Sequence, residues 1–592
     1  MLGRPIARER HSGGSGLRYA GAQEGRVARN VCEELIRILQ QVGVRHIFGV
    51  TGDALNPLLD GIRRQDQLRW IAVRHEETAG YAATAQFQIG GGLGVCAGTV
   101  GPGSLHLLNG LYNAKKEGAA VLAITGQVPR SEAGTGYFQE VDLSKVFDDV
   151  CVFQQVIESP DQMPRVAQLA IQQALAHSGV ARLEIPSDVG PLKVSSKALA
   201  HEIFFPESEI LPGEDDLDRA AKILNQARKP TILAGSGCRG ARDELVAVAE
   251  ILKAPIVHAL KGADVMEHDH SHWVGLTGLI GTSAGYHAVE DCDALLMVGT
   301  DFPYSVFYPA GRPIIQIDIR ADHLGKRCAV TEGLLGHARP SLEALARRLE
   351  PKADDAHLAA AQKRRAKWDQ RRHRDYSLES KHRPLHPQVV AEAVSARAAD
   401  DAIFVIDVGE CTVWAARHLD LRRGQRMIGS FNHGSLGAAF PSALGAQSVD
   451  PKRQVIALCG DGGFGMCPQD FVTAVRYDWP LTVIVFNNGT LGFVKMEMEA
   501  TGYPEYGDAT DLVNPDFAKW AEACGGVGFS VHEPDELGAA LDQALSMPRP
   551  CVIDVFVDRR ELTMPPKIAP AAAWGFSISK IKELVGYLER KV

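Results

Sequence analysis

The chain has 592 residues, of which 45% are hydrophobic and 23% charged, and its formal net charge is −9 at pH 7. This length exceeds what one hydrophobic core supports, so it predicts three or four domains. The negative charge argues against a general nucleic-acid binder, and no apolar run is long enough to span a membrane. The 11 cysteines are scattered without paired metal spacing, which is typical of reduced thiols in a cytoplasmic protein.

Residues 1–26 differ in composition from the rest of the chain. They contain five arginines, two glutamates and a Gly-Gly-Ser-Gly run, but no apolar segment of the kind a secretory signal needs. We interpret them as a disordered extension or the product of a wrongly assigned start codon. An arginine-rich, acid-poor start is also typical of organelle transit peptides.

Residues 27–190 predict a first domain in which strands and helices alternate. Strands are predicted at 44–50, 70–73, 94–99 and 120–125, the last ended by Gly126, and helices at 31–42, 78–89 and 105–116. Alternation at this rate is typical of a doubly wound parallel α/β sheet.

Glu76 is the candidate acid–base residue of this domain. It follows strand 70–73 and precedes an apolar helix, so its carboxyl group should be partly desolvated. Desolvation raises the pKa of a carboxyl group and favours the neutral acid, which can hydrogen-bond a heterocyclic nitrogen. A surface or helix-capping glutamate is the alternative interpretation, and Glu77 is the second candidate for the catalytic role.

Residues 191–350 predict a second α/β domain. Strand 230–234 runs into Gly235-Ser236-Gly237-Cys238-Arg239-Gly240, a GxGxxG motif that is weak evidence on its own. Lys261 stands where a NAD site would have an acidic residue for the ribose, so an ordinary NAD site is not predicted. The charged segment 351–383 predicts an exposed, partly helical linker.

Residues 384–560 predict a third α/β domain with polar clusters after its strands. Strand 402–406 ends at Asp407-Val408-Gly409, strand 455–459 at Gly460-Asp461-Gly462-Gly463, and strand 481–486 at Asn487-Asn488; a helix is predicted at 468–477. Carboxylate and amide oxygens suit Mg²⁺, and glycines let the backbone approach a phosphate group. The alternative is a solvated aspartate in a turn and an asparagine pair that caps a helix.

The tail, residues 561–592, contains a predicted amphipathic helix. Ile581, Leu584, Val585 and Leu588 recur at helical spacing among basic residues. Such a helix can pack on the body of the protein or lie on an anionic membrane.

Gly-Asp-Gly followed at this distance by Asn-Asn is similar to the diphosphate–metal motif of thiamine-diphosphate-dependent enzymes, and the resemblance covers residues 27–576. It implies three consecutive doubly wound domains that bind the pyrimidine, FAD and the diphosphate. Asp461, Asn488 and the backbone carbonyl of Thr490 would hold Mg²⁺, and Glu76 would contact the aminopyrimidine. The other implied contacts with thiamine diphosphate are Gly52, Asp407, Gly409, Gly434, Ser435, Leu436, Gly460, Gly462, Gly463 and Leu491.

The resemblance also assigns residues around the reacting group and the flavin. Phe138 and Gln139 would flank the small acyl group, and Leu436 would bend the cofactor from below. The implied FAD contacts are Gly235, Gly237, Lys261, Thr277, Gly278, Leu279, Gly299, Thr300, Phe302 and Asp318. One departure is Gly336-His337, where relatives often have Gly-Asp, which puts an adenosine-side contact in doubt.

The segment LGFVKMEM, residues 491–498, resembles bacterial quinone-linked pyruvate oxidases most. That resemblance implies oxidative decarboxylation of pyruvate to acetate and CO₂ through a thiamine-diphosphate ylide, with electrons passing through FAD to a quinone. Phe493 would lie between thiazolium and flavin. A homotetramer with active sites at a dimer interface is implied, in the cytoplasm or peripherally on the inner face of the plasma membrane through the C-terminal helix.

Three alternatives stay open. One is a carboligase of the acetolactate synthase type, although those enzymes usually have Gln-Trp where this chain has Lys495-Met496-Glu497. Another is a pyruvate oxidase that uses oxygen. The third is a cofactor-free regulatory or scaffold homologue. The absence of adjacent histidines near Phe138 disfavours a simple pyruvate decarboxylase.

Overall fold

In the computed structural model, which describes residues 29–195, 198, 203, 208–380, 382–561, 578–579 and 582, three parallel sheets of six strands follow one another along the chain. Helices cover both faces of each sheet, so most strands are buried on both sides and consist of continuous apolar runs. The predicted fold class of three consecutive doubly wound domains is confirmed.

The first sheet has the strand order β2-β1-β3-β4-β6-β5. Its strands are β1 (His46–Gly49), β2 (Arg69–Ala72), β3 (Gly94–Gly98), β4 (Val121–Gln127), β5 (Cys151–Val156) and β6 (Val180–Pro186). Its helices are α1 (Val31–Gln41), α2 (Asn56–Arg63), α3 (Glu76–Gly90), α4 (Pro102–Leu105), α5 (Leu108–Glu117), α6 (Leu143–Val146) and α7 (Met163–His177).

The middle sheet has the order β12-β11-β10-β7-β8-β9, the strand order of dinucleotide-binding folds. Its strands are β7 (Pro230–Ala234), β8 (Ile256–His258), β9 (Trp273–Leu276), β10 (Ala294–Val298), β11 (Ile314–Asp318) and β12 (Glu332–Leu335). Its helices are α8 (Glu214–Gln226), α9 (Arg242–Leu252), α10 (Ser283–Glu290) and α11 (Ala338–Ala346).

The third sheet, β14-β13-β15-β16-β18-β17, repeats the strand order of the first. Its strands are β13 (Ile403–Ile406), β14 (Arg426–Gly429), β15 (Val455–Gly460), β16 (Thr482–Asn487), β17 (Val527–Val531) and β18 (Cys551–Phe556). Its helices are α13 (Pro387–Arg397), α14 (Glu410–His418), α15 (Ala439–Val449), α16 (Asp461–Phe464), α17 (Phe471–Arg476), α18 (Gly492–Ala500), α19 (Gly507–Thr510), α20 (Phe517–Ala523) and α21 (Pro534–Ser546). The α12 helix (Ala356–Asp375) connects it to the middle domain.

Helix α3 of the first domain packs against α15 of the third at very close range. A Cβ atom on Gly445 would lie 2.1 Å from the carbonyl oxygen of Ala82, so only glycine permits this approach. Small residues dominate the buried part of α3 for the same reason. The first and third domains are therefore packed directly against each other within one chain.

Four sequence predictions differ from the structure. Strand β4 continues past Gly126, because Gly126 pairs with Ile185 of β6. The helix predicted at 105–116 begins only at Leu108, as α5, and is preceded by the separate short helix α4, while the one predicted at 468–477 begins with a 3-10 turn, Pro468–Asp470. The linker is not fully exposed, because Arg372 is buried against Asp420 and Glu392 of the third domain. The tail helix lies outside the described residues, apart from 578–579 and 582.

Candidate functional site

The predicted diphosphate residues lie where the strand order of the third sheet reverses. The chain leaves β13 toward β14 and later returns to β15 on the other side of β13. Asp407 follows β13, and Asp461 follows β15. Ligands of open α/β sheets bind in the crevice at such a switch point, beyond the carboxyl ends of the strands.

Asp461 is buried and held by three hydrogen-bond donors. Its Oδ1 accepts from the backbone N–H of Gly462 at 2.9 Å. Its Oδ2 accepts from the backbone N–H of Gly489 and from Nδ2 of Asn514, both at 2.7 Å. Burial raises the pKa of Asp461, although the bond from Asn514 opposes that shift. The carboxylate is thus fixed in position, with oxygen lone pairs left for a cation.

Asn488 and Thr490 lie beside Asp461, since Gly489 connects them to it. The Asn488 side-chain oxygen accepts from the backbone N–H of Thr490 at 3.0 Å, and its amide donates to Glu410 at 3.0 Å. No group of three or more His, Cys, Asp or Glu side chains in the described part of the chain is arranged to hold a metal ion. A metal here would therefore need amide, backbone carbonyl and phosphate oxygens besides Asp461, which suits Mg²⁺.

Asp407 contains an unsatisfied buried atom that points to a ligand. Its Oδ1 accepts from the backbone N–H groups of Val408 at 2.9 Å and Gly437 at 3.0 Å, but its buried Oδ2 has no partner. Burial raises the pKa of Asp407 to about 7. A Cβ on Gly463 would lie 2.0 Å from that Oδ2, whereas one on Gly460 would meet nothing within 4 Å. Gly463 thus allows the Asp407 carboxylate to approach its backbone, and Gly460 leaves open space beside fixed polar groups, which fits a diphosphate.

Other predicted diphosphate residues are brought to the same place. The Leu436 side chain lies 3.2 Å from a Cβ built on Gly463, and the Leu491 side chain lies 2.7 Å from one built on Gly462. Gly409 and Gly434 have positive φ angles, 129° and 72°, at the turns that follow β13 and β14.

Glu76 lies in a second group of predicted site residues, in the first domain. It opens α3, and its side chain is buried against Gly103, with Oε1 3.1 Å from a Cβ built there. Its Oε2 lies 2.9 Å from Nδ1 of His106, whose ring stacks on His75. Gly52 lies close by, since a Cβ on it would lie 2.2 Å from Thr99, which also contacts Gly103.

The loop with Phe138 and Gln139 lies beside the Glu76 group. The Gln139 backbone oxygen lies 2.4 Å from a Cβ built on Gly101, which follows β3, and Gln139 has a φ of 63°. Phe138 is 79% exposed in the single chain, which is unusual for a phenylalanine side chain. Phe493, on α18, is half-buried against the core of the third domain instead.

Hydrogen bonds connect the two domains next to these groups. The Tyr81 hydroxyl lies 2.6 Å from the Ser435 hydroxyl, and Nδ2 of Asn109 donates to the same oxygen at 3.0 Å. Glu77 accepts from both Tyr81 and Asn109. No hydrogen bond or ion pair found among the described residues joins Glu76 itself to Asp461 or Asn488.

The middle domain brings its predicted flavin residues to its own switch point, between β7 and β10. A Cβ on Gly235 would lie 2.3 Å from the carbonyl oxygen of Gly299, and one on Gly237 would lie 2.7 Å from the Cα of Gly299. Thr300 and Asp318 follow β10 and close β11, and both are buried. Burial raises the pKa of Asp318, while the backbone N–H of Arg320 opposes that shift.

The turn after β9 contributes Thr277, Gly278 and Leu279. The buried hydroxyl of Thr277 has no hydrogen-bond partner, and Phe302 packs against Gly278, whose φ is 99°. An unsatisfied hydroxyl beside glycine turns, on the strand order of dinucleotide-binding folds, fits FAD. Lys261 is engaged elsewhere, since its ammonium group pairs with Glu117 of the first domain at 2.9 Å.

Helix α14 connects the flavin turn with the diphosphate residues. Its first residue, Glu410, contacts Asn488, and Nε of Arg417, near its other end, donates to the Ile280 carbonyl at 2.9 Å. Seven residues of α-helix span about 10 Å. The two predicted cofactor sites therefore lie at the two ends of one short helix.

Sequence reasoning missed three residues of the site. Burial raises the pKa of Glu410 to about 7, with the Asp461 carboxylate acting in the same direction and Lys495 against it. Neither His106 nor Asn514 was predicted, because their contacts with Glu76 and Asp461 join residues far apart in the chain. Only the opening of α14 directly after Asp407-Val408-Gly409 could have indicated Glu410.

We expect Asn514→Ala to weaken metal and diphosphate binding by about 10- to 100-fold, because its amide fixes the Asp461 carboxylate. Isothermal titration calorimetry with thiamine diphosphate and Mg²⁺ measures the change. Asn225→Ala is the matched control, since this asparagine also bridges two segments, but in the middle domain. Equal affinities in wild type and Asn514→Ala would contradict the assigned role.

Comparison with known proteins agrees with this arrangement. Three sequence profiles of thiamine pyrophosphate enzymes match the chain: the N-terminal TPP binding domain at residues 29–146, the central domain at 217–345 and the C-terminal TPP binding domain at 407–555. The Bacillus subtilis protein YdaP, whose name describes it as thiamine pyrophosphate-containing, is 39% identical over 93% of this chain and 95% of its own.

Two enzymes with named activities are also similar over nearly their whole length. Pyruvate oxidase of Lactiplantibacillus plantarum is 31% identical over 88% of this chain and 88% of its own. The large subunit of acetolactate synthase isozyme 2 of Escherichia coli is 30% identical over 93% of this chain and 100% of its own. Identity alone does not separate these two activities.

Proposed function

The chain belongs to the thiamine pyrophosphate enzyme family, and we propose that within it this protein oxidatively decarboxylates pyruvate to acetate and CO₂. Water would supply the new oxygen of acetate, and the two electrons and two protons released per pyruvate would be accepted by a quinone, with FAD as the carrier of the electrons. The helix α14 carries the proposal, since it has predicted diphosphate contacts at one end and the predicted flavin turn at the other. Glu410 and Arg417 of α14 are separated by about 10 Å of helix, so the two proposed cofactor sites are neighbours.

Thiamine diphosphate, when bound, supplies the electron sink that accepts the electron pair released with CO₂. Asp461, Asn488 and the Thr490 carbonyl would hold Mg²⁺, which in turn would bind the diphosphate. Asp407 would hydrogen-bond the cofactor through its unpartnered Oδ2.

None of the described helices combines the length and apolar character needed to cross a membrane.

Glu76 would hold and move the proton at the aminopyrimidine ring. Its burial against Gly103 keeps water from its carboxyl group, and His106 fixes the orientation of Oε2. Phe138 and Gln139, on the loop that touches the turn after β3, would line the space for the small acyl group. Phe493 would lie on the path toward the flavin.

A second copy of the chain would complete the site. Phe138 is exposed in the single chain, and Glu76 has no direct bond to the diphosphate residues of its own chain, so the diphosphate residues opposite Glu76 would come from a partner chain. We therefore propose a homotetramer with active sites at a dimer interface. Quinone as acceptor and peripheral membrane contact through the C-terminal segment belong to the same proposal.

The test is a visible spectrum of the purified protein before and after pyruvate is added without oxygen. We expect a yellow preparation with flavin absorbance that bleaches with pyruvate, and acetate as the product once a quinone analogue is added. A protein reconstituted with FAD that pyruvate fails to bleach would overturn the oxidase assignment.

Acetolactate synthase activity is the second candidate, favoured by relatives of that name at 30 to 32% identity. Against it, helix α18 has Lys495-Met496-Glu497 where such enzymes usually have Gln-Trp. Lys495 forms an ion pair with Glu505, which follows the helix. Incubation with pyruvate in the absence of an electron acceptor distinguishes the two. Acetolactate as the dominant product would replace the oxidase proposal by the synthase.

We expect Gly460→Ala to weaken thiamine diphosphate binding by at least about tenfold, which is about 1.4 kcal/mol. Gly460 has an ordinary backbone conformation, and a Cβ there meets no protein atom within 4 Å. The methyl group would instead occupy space proposed for the diphosphate. The melting temperature of the apoprotein should stay unchanged, which separates this loss from misfolding, and unchanged cofactor affinity would contradict the placement.

A further inference from the structure

A cleft between the middle and third domains is lined by arginines that the proposed reaction does not use. It has a volume of about 270 Å³, and one wall comes from residues 239–242 and 264–267 and the other from 422–426. Its cationic side chains are Arg239, Arg242, Arg422, Arg423 and Arg426. None of the residues predicted to contact thiamine diphosphate, Mg²⁺ or FAD lines this cleft.

Only two carboxylates line the same cleft, Asp264 and Glu267. Asp264 has a fully buried side chain that is shared by two guanidinium groups, Arg239 at 2.9 Å and Arg426 at 2.7 Å. Glu267 forms an ion pair with Arg242. One carboxylate therefore serves two arginines, and the shared pair keeps an excess positive charge at the domain boundary.

The remaining two arginines are only weakly neutralised. Arg423 is 72% exposed, and its nearest carboxylate, on Asp243, lies 3.9 Å away. Arg422 pairs with Asp400, whose side chain is 92% exposed, so water and salt screen that pair. Asp243 is also shared, since it lies 2.8 Å from Arg242. Four carboxylates therefore pair with five guanidinium groups, which leaves one excess positive charge, and Arg423 has the weakest pairing.

We propose that this cleft binds a small phosphate-bearing anion that bridges the middle and third domains. Guanidinium groups recognise phosphate oxygens through paired N–H donors, and several of them around one space suit a group with more than one negative charge. The volume is sufficient for a diphosphate group. Because both domains contribute arginines, the anion would stabilise their relative position.

The ion pairs of Asp264 with Arg239 and Arg426 fix the geometry of the cleft. The Asp264 Oδ2 also lies 3.3 Å from the backbone N–H of Met427, at the second residue of β14. Arg239 in turn donates to the Lys261 carbonyl at 2.8 Å, and Arg426 to the Gln88 carbonyl at 2.9 Å. These hydrogen bonds already hold both arginine side chains in place, so little side-chain conformational entropy is lost when a ligand binds.

The test uses the holoenzyme saturated with thiamine diphosphate, Mg²⁺ and FAD, so that the cofactor sites do not contribute. Phosphate, pyrophosphate and ADP are each titrated by calorimetry at low salt. We expect pyrophosphate to bind, sodium chloride to weaken it, and Arg423→Glu to weaken it by about tenfold. Arg371→Glu is the matched control, since Arg371 is 64% exposed and 3.6 Å from its partner, outside the cleft.

Equal affinity for pyrophosphate and ADP would support recognition of the diphosphate group alone, and tighter ADP binding would support a nucleotide as the ligand. Arg239→Gln provides a second variant on the opposite wall, with the same expected loss. Absence of binding by all three anions, or equal affinity in wild type and Arg423→Glu, would overturn the proposal. Neither result depends on which reaction the enzyme catalyses.

Discussion

The variant Glu76→Gln should lower kcat by about 10²- to 10⁴-fold, the range by which general acid–base groups contribute to catalysis. The amide has nearly the same shape as the acid, but it cannot take up and release a proton. Glu76 is buried, and its only side-chain partner among the described residues is His106 at 2.9 Å. No neighbouring carboxyl group is positioned by these contacts to replace it.

The measurement combines steady-state kinetics with cofactor binding. We expect Glu76→Gln to bind Mg²⁺ and thiamine diphosphate within about tenfold of wild type, because the diphosphate residues are in another domain. Glu77→Gln is the matched control, since Glu77 is the next residue but bonds to Tyr81 and Asn109 instead. If Glu77→Gln lost the activity and Glu76→Gln kept it, the catalytic assignment would pass to Glu77.

Sequence patterns predicted eight of the strands, among them those that end at the candidate diphosphate residues. Strand β7 was predicted with its observed bounds, and β15 to within one residue, because fully buried parallel strands consist of apolar runs. The turns after them follow from glycines that strands and helices disfavour. The placement of Asp407 and Asp461 at one switch point depends on the strand order, which the structure shows and the sequence analysis did not predict.

Long-range contacts were not predictable in the same way. Lys261 pairs with Glu117 of another domain, and Arg372 is buried because Asp420 and Glu392 approach it from the third domain. Local periodicity contains no information about partners so distant along the chain. For the same reason the contact of His106 with Glu76 was not predicted, and His106 lies between α4 and α5 rather than inside the predicted helix 105–116.

The variant Asp461→Asn should weaken Mg²⁺-dependent binding of thiamine diphosphate by at least about 100-fold, more than loss of a residue that only supports a ligand. Asp461 is the one carboxylate in the proposed ligand set. In the variant, an amide N–H₂ group would face the N–H of Gly489 or the amide of Asn514, which are donors themselves. The site would lose both its negative charge and its fixed geometry.

Loss of the metal can be separated from loss of folding. In the variant, buried donors such as Gly489 and Asn514 lose their acceptor, so we expect the apoprotein to lose about 1 to 3 kcal/mol of stability and to stay folded. Asp470→Asn is the matched control, because Asp470 is also buried with a raised pKa but bonds to Arg74 and Thr473 at the domain contact. We expect that variant to melt at a lower temperature while its metal affinity is unchanged. The opposite pattern, with Asp461→Asn unstable but still able to bind Mg²⁺, would show that Asp461 supports the fold rather than the metal.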